Sequence, residues 1–152
     1  MDKRNAGSFR DPNGFVFMHE GVALRQVNQR YHNEYNQLMT SGLYEQLTKS
    51  RTLLPHEEID SSNAFEPDIV YKVIKPEQLS FISYPYEWCF EQLKDAAILT
   101  LAIARRALEY GMVLKDASAY NIQFRAGKPV FIDTLSFDLY EEGLPWVAYK
   151  QF

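Results

Sequence analysis

The sequence predicts an α+β fold, because strand-like and helix-like segments occur in separate runs along its 152 residues. The first half contains several short stretches rich in β-branched and aromatic residues, with a helical region inserted among them. A long segment with apolar residues at helical spacing follows, and two short strands around a tight turn come after it. Strands that occur in runs favour antiparallel sheets over alternating βαβ units.

The first part of the chain is expected to form a flexible arm, a hairpin and a broken helix. Residues 1–12 are polar and are predicted to be the arm. In "GFVFMHEGVALRQV", Glu20 and Gly21 separate two strand-like runs, which predicts a hairpin. In "NQRYHNEYNQLMTSGLYEQLTKS", apolar residues recur every three or four positions but the pattern breaks at Ser41 and Gly42, which predicts two helical pieces.

Three further strands and one long helix are predicted next. The stretches "TLLPHEEI", "DIVYKVI" and "LSFISYP" have strand composition and complete a small β-rich lobe over residues 13–84. The helix should run from Tyr86 or Glu87 to Tyr110, with Gly111 as its terminator. Residues 85–152 then form the second part of the molecule. The apolar residues of the helix form a stripe at helical spacing: Phe90, Leu93, Ala97, Leu101, Ala104 and Leu108.

The composition argues against several classes of function. The formal net charge is −4 and the pI is about 5.4, so the overall charge does not favour nucleic acid or an anionic membrane surface as a partner. No run approaches the eighteen or so consecutive apolar residues of a membrane span, and "MDKRNAGSFRDPNG" lacks the apolar centre of a signal peptide. A cytoplasmic location is therefore expected. The single cysteine, Cys89, cannot form an internal disulfide and is expected to have a packing role.

Three oxygen-bearing side chains are expected to converge near the end of the long helix. A two-residue turn at Ala126 and Gly127 pairs "NIQF" with "PVFID", and counting outward places Asn121 and Asp133 at the same end of this ribbon. Asp116 lies five residues before Asn121, in the loop that leaves the helix. Mg²⁺ prefers oxygen ligands and commonly uses one or two protein groups together with nucleotide phosphates. Asn121 and Asp133 suit that role, and Asp116 is placed to orient a hydroxyl group or accept its proton.

This stretch resembles the catalytic segment of the protein-kinase-like superfamily, which includes aminoglycoside and choline kinases. In that pattern a catalytic Asp is followed five residues later by a metal-binding Asn, and a hairpin leads to a second metal-binding Asp. The resemblance implies that Asp116 is the catalytic base and that Asn121 and Asp133 bind Mg²⁺ in the presence of ATP. It also implies a kinase-like fold, with a small antiparallel-sheet lobe that carries an inserted helix, then the long helix and hairpin of a truncated large lobe.

The resemblance extends to the first lobe. In "VALRQV", Arg25 stands where such kinases place the lysine that touches the nucleotide phosphates, and a helix follows as expected. Glu34 or Glu45 is then implied as the helix partner of Arg25. These three residues are the nucleotide-binding candidates.

The chain departs from the kinase pattern at several positions. Leu114 and Lys115 replace the usual residues before the catalytic Asp, and Asp133 is followed by Thr134 and Leu135, with no glycine. Arg25 replaces lysine, and a planar guanidinium meets phosphates differently from an ammonium group. No glycine-rich loop precedes "VALRQV", and only 19 residues follow Asp133. Retained phosphotransfer is therefore less expected than a kinase-like fold.

Two longer strings, "SYPYEWCFEQLKDAA" and "LKDASAYNIQF", are similar to the amino-terminal part of a bacterial family described as SAM-dependent methyltransferases. This resemblance implies a kinase-like front module followed by a methyltransferase domain. No glycine-rich dinucleotide-type motif follows a strand here, so S-adenosylmethionine would bind only beyond Phe152. An attached C-terminal domain, or self-association through exposed apolar groups such as Trp146 and Val147, is the expected partner.

Two functions remain open from the sequence. The favoured one is a non-catalytic or regulatory kinase-like module that is normally attached to a SAM-dependent methyltransferase domain. The alternative is an active Mg²⁺-dependent phosphotransferase that acts on a hydroxyl group of a small molecule.

Overall fold

The computed structural model describes the backbone of Lys3–Arg4 and all of residues 11–152. These residues form a mixed α+β structure with antiparallel sheets, as predicted. The strands are β1 (Lys3–Arg4), β2 (Gly14–His19), β3 (Val22–Asn28), β4 (His56–Ile59), β5 (Val70–Pro76), β6 (Met112–Leu114), β7 (Ile122–Arg125), β8 (Lys128–Phe131) and β9 (Phe137–Leu139). The α-helices are α1 (His32–Thr40), α2 (Leu43–Lys49) and α3 (Phe90–Glu109).

The predicted arm over residues 1–12 contains one element that the sequence did not indicate. Lys3–Arg4 form the short strand β1, which pairs with β2. The other residues of the predicted arm, up to Arg10, lie outside the described residues.

The chain divides into two units. Unit 1 comprises Met1–Asn36 and Pro55–Gln78, and unit 2 comprises Gln37–Leu54 and Leu79–Phe152. This division differs from the predicted small lobe because α2 belongs to the core of unit 2. Helix α1 begins in one unit and ends in the other.

Unit 1 is built on a five-stranded antiparallel sheet with the strand order β1-β2-β3-β5-β4. The predicted hairpin is confirmed as β2–β3, which pairs up to His19 with Val22. Glu20 and Gly21 turn the chain with φ angles of 49° and 80°. The two helical pieces are also confirmed, with the break at Ser41 and Gly42 between α1 and α2. The buried residues that share one core cluster in this unit are Phe15, Phe17, Leu24 and Val73.

Two of the three further predicted strands need correction. "LSFISYP" forms no strand, because the backbone of Ser83 is hydrogen-bonded to the side-chain amide of Gln123 instead of to a neighbouring strand. "TLLPHEEI" is a strand only over β4. Earlier in the same stretch, Leu53 forms an isolated bridge with Phe131 within unit 2.

Helix α3 confirms the long helix but begins at Phe90, a few residues later than predicted. The Gln92 side chain accepts a hydrogen bond from the backbone N–H of Cys89, which satisfies a donor at the helix start. Gly111, with φ of 70°, follows the helix end. Cys89 itself is exposed, so the expected packing role is wrong. Among the described residues, no helix has the length and apolar character that crossing a bilayer requires.

The second predicted hairpin is confirmed in detail. β7 and β8 pair from Ile122 with Phe131 to Arg125 with Lys128, in the register that the two-residue turn predicts. The sequence did not indicate the other small sheet of unit 2, in which β6 pairs with β9. This pairing returns the chain to the end of α3 after the hairpin.

Candidate functional site

Ser136 connects the three predicted site residues. It is buried, with 1% of its surface exposed, in the short 3-10 turn Thr134–Ser136 between β8 and β9. Its hydroxyl oxygen accepts a hydrogen bond of 3.1 Å from the side-chain amide of Asn121. Its carbonyl oxygen lies 3.4 Å from the backbone nitrogen of Asp116, and its own N–H donates to the carbonyl of Asp133 at 3.3 Å. Asp116, Asn121 and Asp133 therefore all contact one residue that sequence reasoning did not single out.

Asp116 is held in the loop that follows β6. One oxygen of its carboxylate, Oδ1, accepts a hydrogen bond of 3.0 Å from the backbone N–H of Ser118. The next backbone N–H, that of Ala117, donates to the side chain of Gln151 at 2.7 Å. Local side-chain bonds of this kind fix a loop without regular secondary structure. The position of Asp116 is thus set by the loop itself and by the C-terminal segment.

Asn121 is positioned at the entrance to the β7–β8 hairpin. Its backbone N–H donates to the carbonyl of Ser118, and its carbonyl accepts from the N–H of Ile132 across the ribbon. Its side-chain amide nitrogen donates a hydrogen bond to the hydroxyl group of Ser136. The side-chain amide oxygen is therefore the atom that can bind a cation or accept a hydrogen bond from a phosphate-bound water. Ile132 directly precedes Asp133, which explains why the amide and the second carboxylate share one end of the ribbon.

Asp133 begins the 3-10 turn that contains Ser136. Its Oδ1 accepts a hydrogen bond of 2.8 Å from the backbone N–H of Leu135. This contact has the geometry of a helix cap, in which a side-chain oxygen satisfies an N–H of the first turn. Asp133 therefore has a structural role in addition to any role in binding.

The donor set fits a hard cation better than a transition metal. It consists of two carboxylates and one amide, all oxygen donors of the type that Mg²⁺ prefers. Within the described residues, no group of three or more His, Cys, Asp or Glu side chains is arranged to hold a metal ion.

The other three predicted residues lie in different surroundings. Arg25 is on β3 and Glu34 is in the first turn of α1, both within unit 1. Glu34 Oε2 is buried and has no hydrogen-bond partner among the described residues. Glu45 lies on α2 in unit 2, where it forms an exposed ion pair of 2.6 Å with Lys49, which lowers its pKa. Of the two glutamates, the structure therefore places only Glu34 in the same unit as Arg25.

Sequence reasoning missed a polar network in unit 1. The hydroxyl group of the buried Tyr35 lies 3.1 Å from His56 Nε2 and donates to Glu58 Oε1 at 3.0 Å. Burial lowers the pKa of His56 to about 4, an effect that Glu58 opposes and Arg25 reinforces. β4 is an edge strand of the sheet, and His56 is half-buried there. The alternation of His56 and Glu58 on one face of β4 is the signal that could have indicated this network.

Comparison with known proteins gives a similarity that extends over both units. The chain is 37% identical over 151 residues to the nodulation protein NoeA of Rhizobium meliloti (strain 1021). The match covers 98% of this chain and 31% of NoeA, so the chain spans about a third of the length of that protein. No protein-family model matches the chain.

Proposed function

We propose that this chain is a kinase-like module that binds a Mg²⁺–nucleotide without transferring its phosphate and that regulates a methyltransferase domain in a longer polypeptide. The observation that carries the proposal is the set of contacts at Ser136. Asp116, Asn121 and Asp133 each contact Ser136, and their order and spacing along the chain are those of the kinase pattern.

The arrangement of unit 1 supports the kinase-like part of the proposal. Protein kinases place their phosphate-contacting lysine on the third strand of the small lobe and its glutamate partner on the helix that follows. Arg25 lies on the third strand of this sheet, and Glu34 lies on the helix that is inserted before β4. This agreement comes from a different part of the chain than the Ser136 contacts.

A non-catalytic role is preferred because the acids that would perform the chemistry also hold the backbone in place. One carboxylate oxygen of Asp116 accepts a hydrogen bond from the backbone N–H of Ser118. One carboxylate oxygen of Asp133 accepts a hydrogen bond from the backbone N–H of Leu135. A carboxylate has two oxygens, so binding through the second oxygen remains compatible with these contacts. The glycine that follows the second metal ligand in kinases is also missing, because Asp133 is followed by Thr134 and Leu135, which are both buried.

The proposal is tested by thermal unfolding with Mg²⁺ alone, ATP alone and both together. A ligand at 100 times its Kd stabilises the native state by about 2.7 kcal/mol, which for a chain of this size is a shift of roughly 5–10 °C. We expect that shift only with Mg²⁺ and ATP together, and we expect Asp133→Asn to abolish it. Asp138→Asn is the matched control, because Asp138 also accepts a backbone hydrogen bond but lies on β9 beyond Ser136. Absence of a shift at millimolar concentrations of both ligands would refute nucleotide binding.

A second candidate function is active phosphotransfer to a hydroxyl group of a small molecule. It is supported by Asp116, which lies five residues before Asn121 as the catalytic Asp does in the kinase pattern, and whose backbone contacts Ser136, the acceptor of the Asn121 amide. Release of ADP in the presence of a panel of small hydroxyl compounds distinguishes the two functions. If the chain is a regulatory module, the unaltered chain should release no more ADP than Asp116→Asn does. If it is an active enzyme, Asp116→Asn should lose the ADP release that the unaltered chain shows.

The methyltransferase part of the proposal rests on the resemblance of "SYPYEWCFEQLKDAA" and "LKDASAYNIQF" to SAM-dependent methyltransferases, and the length of NoeA is compatible with it. More than two thirds of NoeA lies outside the match, which leaves room for a further domain. We expect S-adenosylmethionine to bind to intact NoeA and not to this chain, as measured by titration calorimetry. Binding of the cofactor to this chain alone would contradict the proposed division of roles.

A further inference from the structure

Helix α3 has two apolar faces, and unit 2 covers only one of them. The buried face consists of Ala96, Leu99, Thr100, Ile103 and Ala107. The other face exposes large apolar side chains over its whole length, and we call these residues the α3 stripe: Phe90 (75% exposed), Leu93 (40%), Ile98 (58%), Leu101 (59%) and Leu108 (50%). At 1.5 Å per residue the stripe is about 27 Å long. Exposed apolar side chains along a helix face of this length indicate an interaction site.

The spacing along this side of α3 is that of a coiled-coil seam. Positions 90, 94, 97, 101, 104 and 108 alternate in steps of four and three residues, and all are apolar except Lys94. A single lysine within such a seam fixes the register of the helices at a cost in stability. The seam therefore fits a partner helix better than a flat surface or a small ligand.

The charges that flank the seam match those of a second copy in one orientation. Glu91 and Arg105 lie seven residues before and after Ile98, and seven residues are two helical turns, so all three share one flank. When two α3 helices cross antiparallel with a two-fold axis at Ile98, Glu91 of each copy stands opposite Arg105 of the other. In a parallel pair, Glu91 of one chain would instead lie level with Glu91 of the other, and Arg105 with Arg105. The flank with Thr100 and Ala107 is buried within unit 2 and is not available.

The ion pairs that these residues form within one chain leave them free to change partners. Glu91 pairs with Lys94 at 2.5 Å and Arg105 pairs with Glu109 at 4.0 Å. The side chains of Glu91 and Arg105 are 68% and 86% exposed, and ion pairs at such exposure contribute little to stability. Antiparallel association replaces them with two symmetric pairs beside a desolvated seam.

We infer that the α3 stripe is a homodimer interface, in which a second copy of this chain packs its own α3 antiparallel across a two-fold axis near Ile98. The interface is isologous, so every contact occurs twice. It is formed by unit 2 alone and does not depend on the proposed nucleotide chemistry.

Sedimentation velocity over a range of chain concentrations tests the inference. We expect a monomer–dimer equilibrium that Leu101→Asp abolishes. The matched control is Leu144→Asp, which adds the same charge at another exposed leucine of unit 2, 63% exposed and outside α3, and should leave the dimer intact. All substituted side chains are exposed, and circular dichroism checks that each variant keeps its helix content.

Charge exchange then tests the orientation. Glu91→Arg and Arg105→Glu should each raise the dimer Kd about tenfold, and the double variant should return it close to that of the unaltered chain. A chain that stays monomeric at all concentrations overturns the inference and leaves the stripe to a different polypeptide. Equal loss of association in Leu144→Asp, or a double variant that remains as weak as the single ones, also overturns it.

Discussion

The side-chain amide of Asn121 donates a hydrogen bond of 3.1 Å to the hydroxyl group of Ser136, fifteen residues further along the chain. This bond joins the start of one hairpin strand to the turn that follows the other. It directs the amide oxygen of Asn121 away from Ser136, and it ties that oxygen to the segment that carries Asp133. The candidate site is therefore a consequence of how the hairpin ends are held together.

Ser136→Ala should reduce the free energy of unfolding by about 1 kcal/mol, because the amide of Asn121 loses its acceptor in a half-buried position. Urea unfolding of Ser136→Ala, Asn121→Ala and the double variant measures the coupling between the two side chains. We expect the effects to be non-additive by about 0.5–1.5 kcal/mol. Additive effects would show that this hydrogen bond does not contribute to stability.

Asp133 should respond differently to two substitutions. Asp133→Ala removes the acceptor for the N–H of Leu135 and should cost about 1 kcal/mol, as loss of a helix cap does. Asp133→Asn keeps an acceptor oxygen and should stay within about 0.5 kcal/mol of the unaltered protein. Both should lose any stabilisation by Mg²⁺. Thermal unfolding with and without Mg²⁺ and ATP separates the structural role from the binding role, and equal stability of the two variants would contradict the capping role.

His56 should make the protein less stable in mild acid. Burial lowers the pKa of His56 from 6.5 to about 4, so the unfolded chain takes up the proton at a higher pH than the folded protein does. This destabilising effect of His56 is absent above pH 6.5. The free energy of unfolding falls as the pH decreases from 6.5 towards 4, by up to about 1.4 kcal/mol per pH unit.

His56→Gln should remove most of this loss between pH 6.5 and pH 5, a range in which carboxylate titration contributes little. Urea unfolding at pH 7, 6 and 5 provides the measurement. His32→Gln is the control, because it makes the same substitution at an exposed histidine. A slope that persists in His56→Gln would place its source elsewhere.

The turn of the β7–β8 hairpin can be improved. Ala126 and Gly127 both have positive φ angles, 49° and 76°, as two-residue hairpin turns require. Alanine is strained in that region and asparagine tolerates it, so Ala126→Asn should raise the free energy of unfolding by about 0.5–1 kcal/mol. Gly127→Ala should lower it by a similar amount or more. Unfolding measurements on both variants check the turn, and destabilisation by Ala126→Asn would contradict the assigned geometry.

Prediction of the fold succeeded where neighbouring residues decide the structure. The β2–β3 hairpin, the break between α1 and α2, and the register of β7 with β8 follow from turn residues and spacing within a few positions. Prediction failed for "LSFISYP", because Gln123, forty residues away, supplies the hydrogen bonds that a strand partner would have supplied. Composition alone does not reveal a partner at that distance.

The sequence by itself determined that Asn121 and Asp133 occupy the same end of one ribbon and that a long helix precedes Asp116, because helix period and turn length are local properties. Tertiary structure alone decided that Ser136 joins these residues, because β6 and β9 pair across the intervening hairpin. It also decided which side of α3 is covered. Both sides of that helix are apolar, and only packing against the rest of unit 2 separates the buried face from the exposed one.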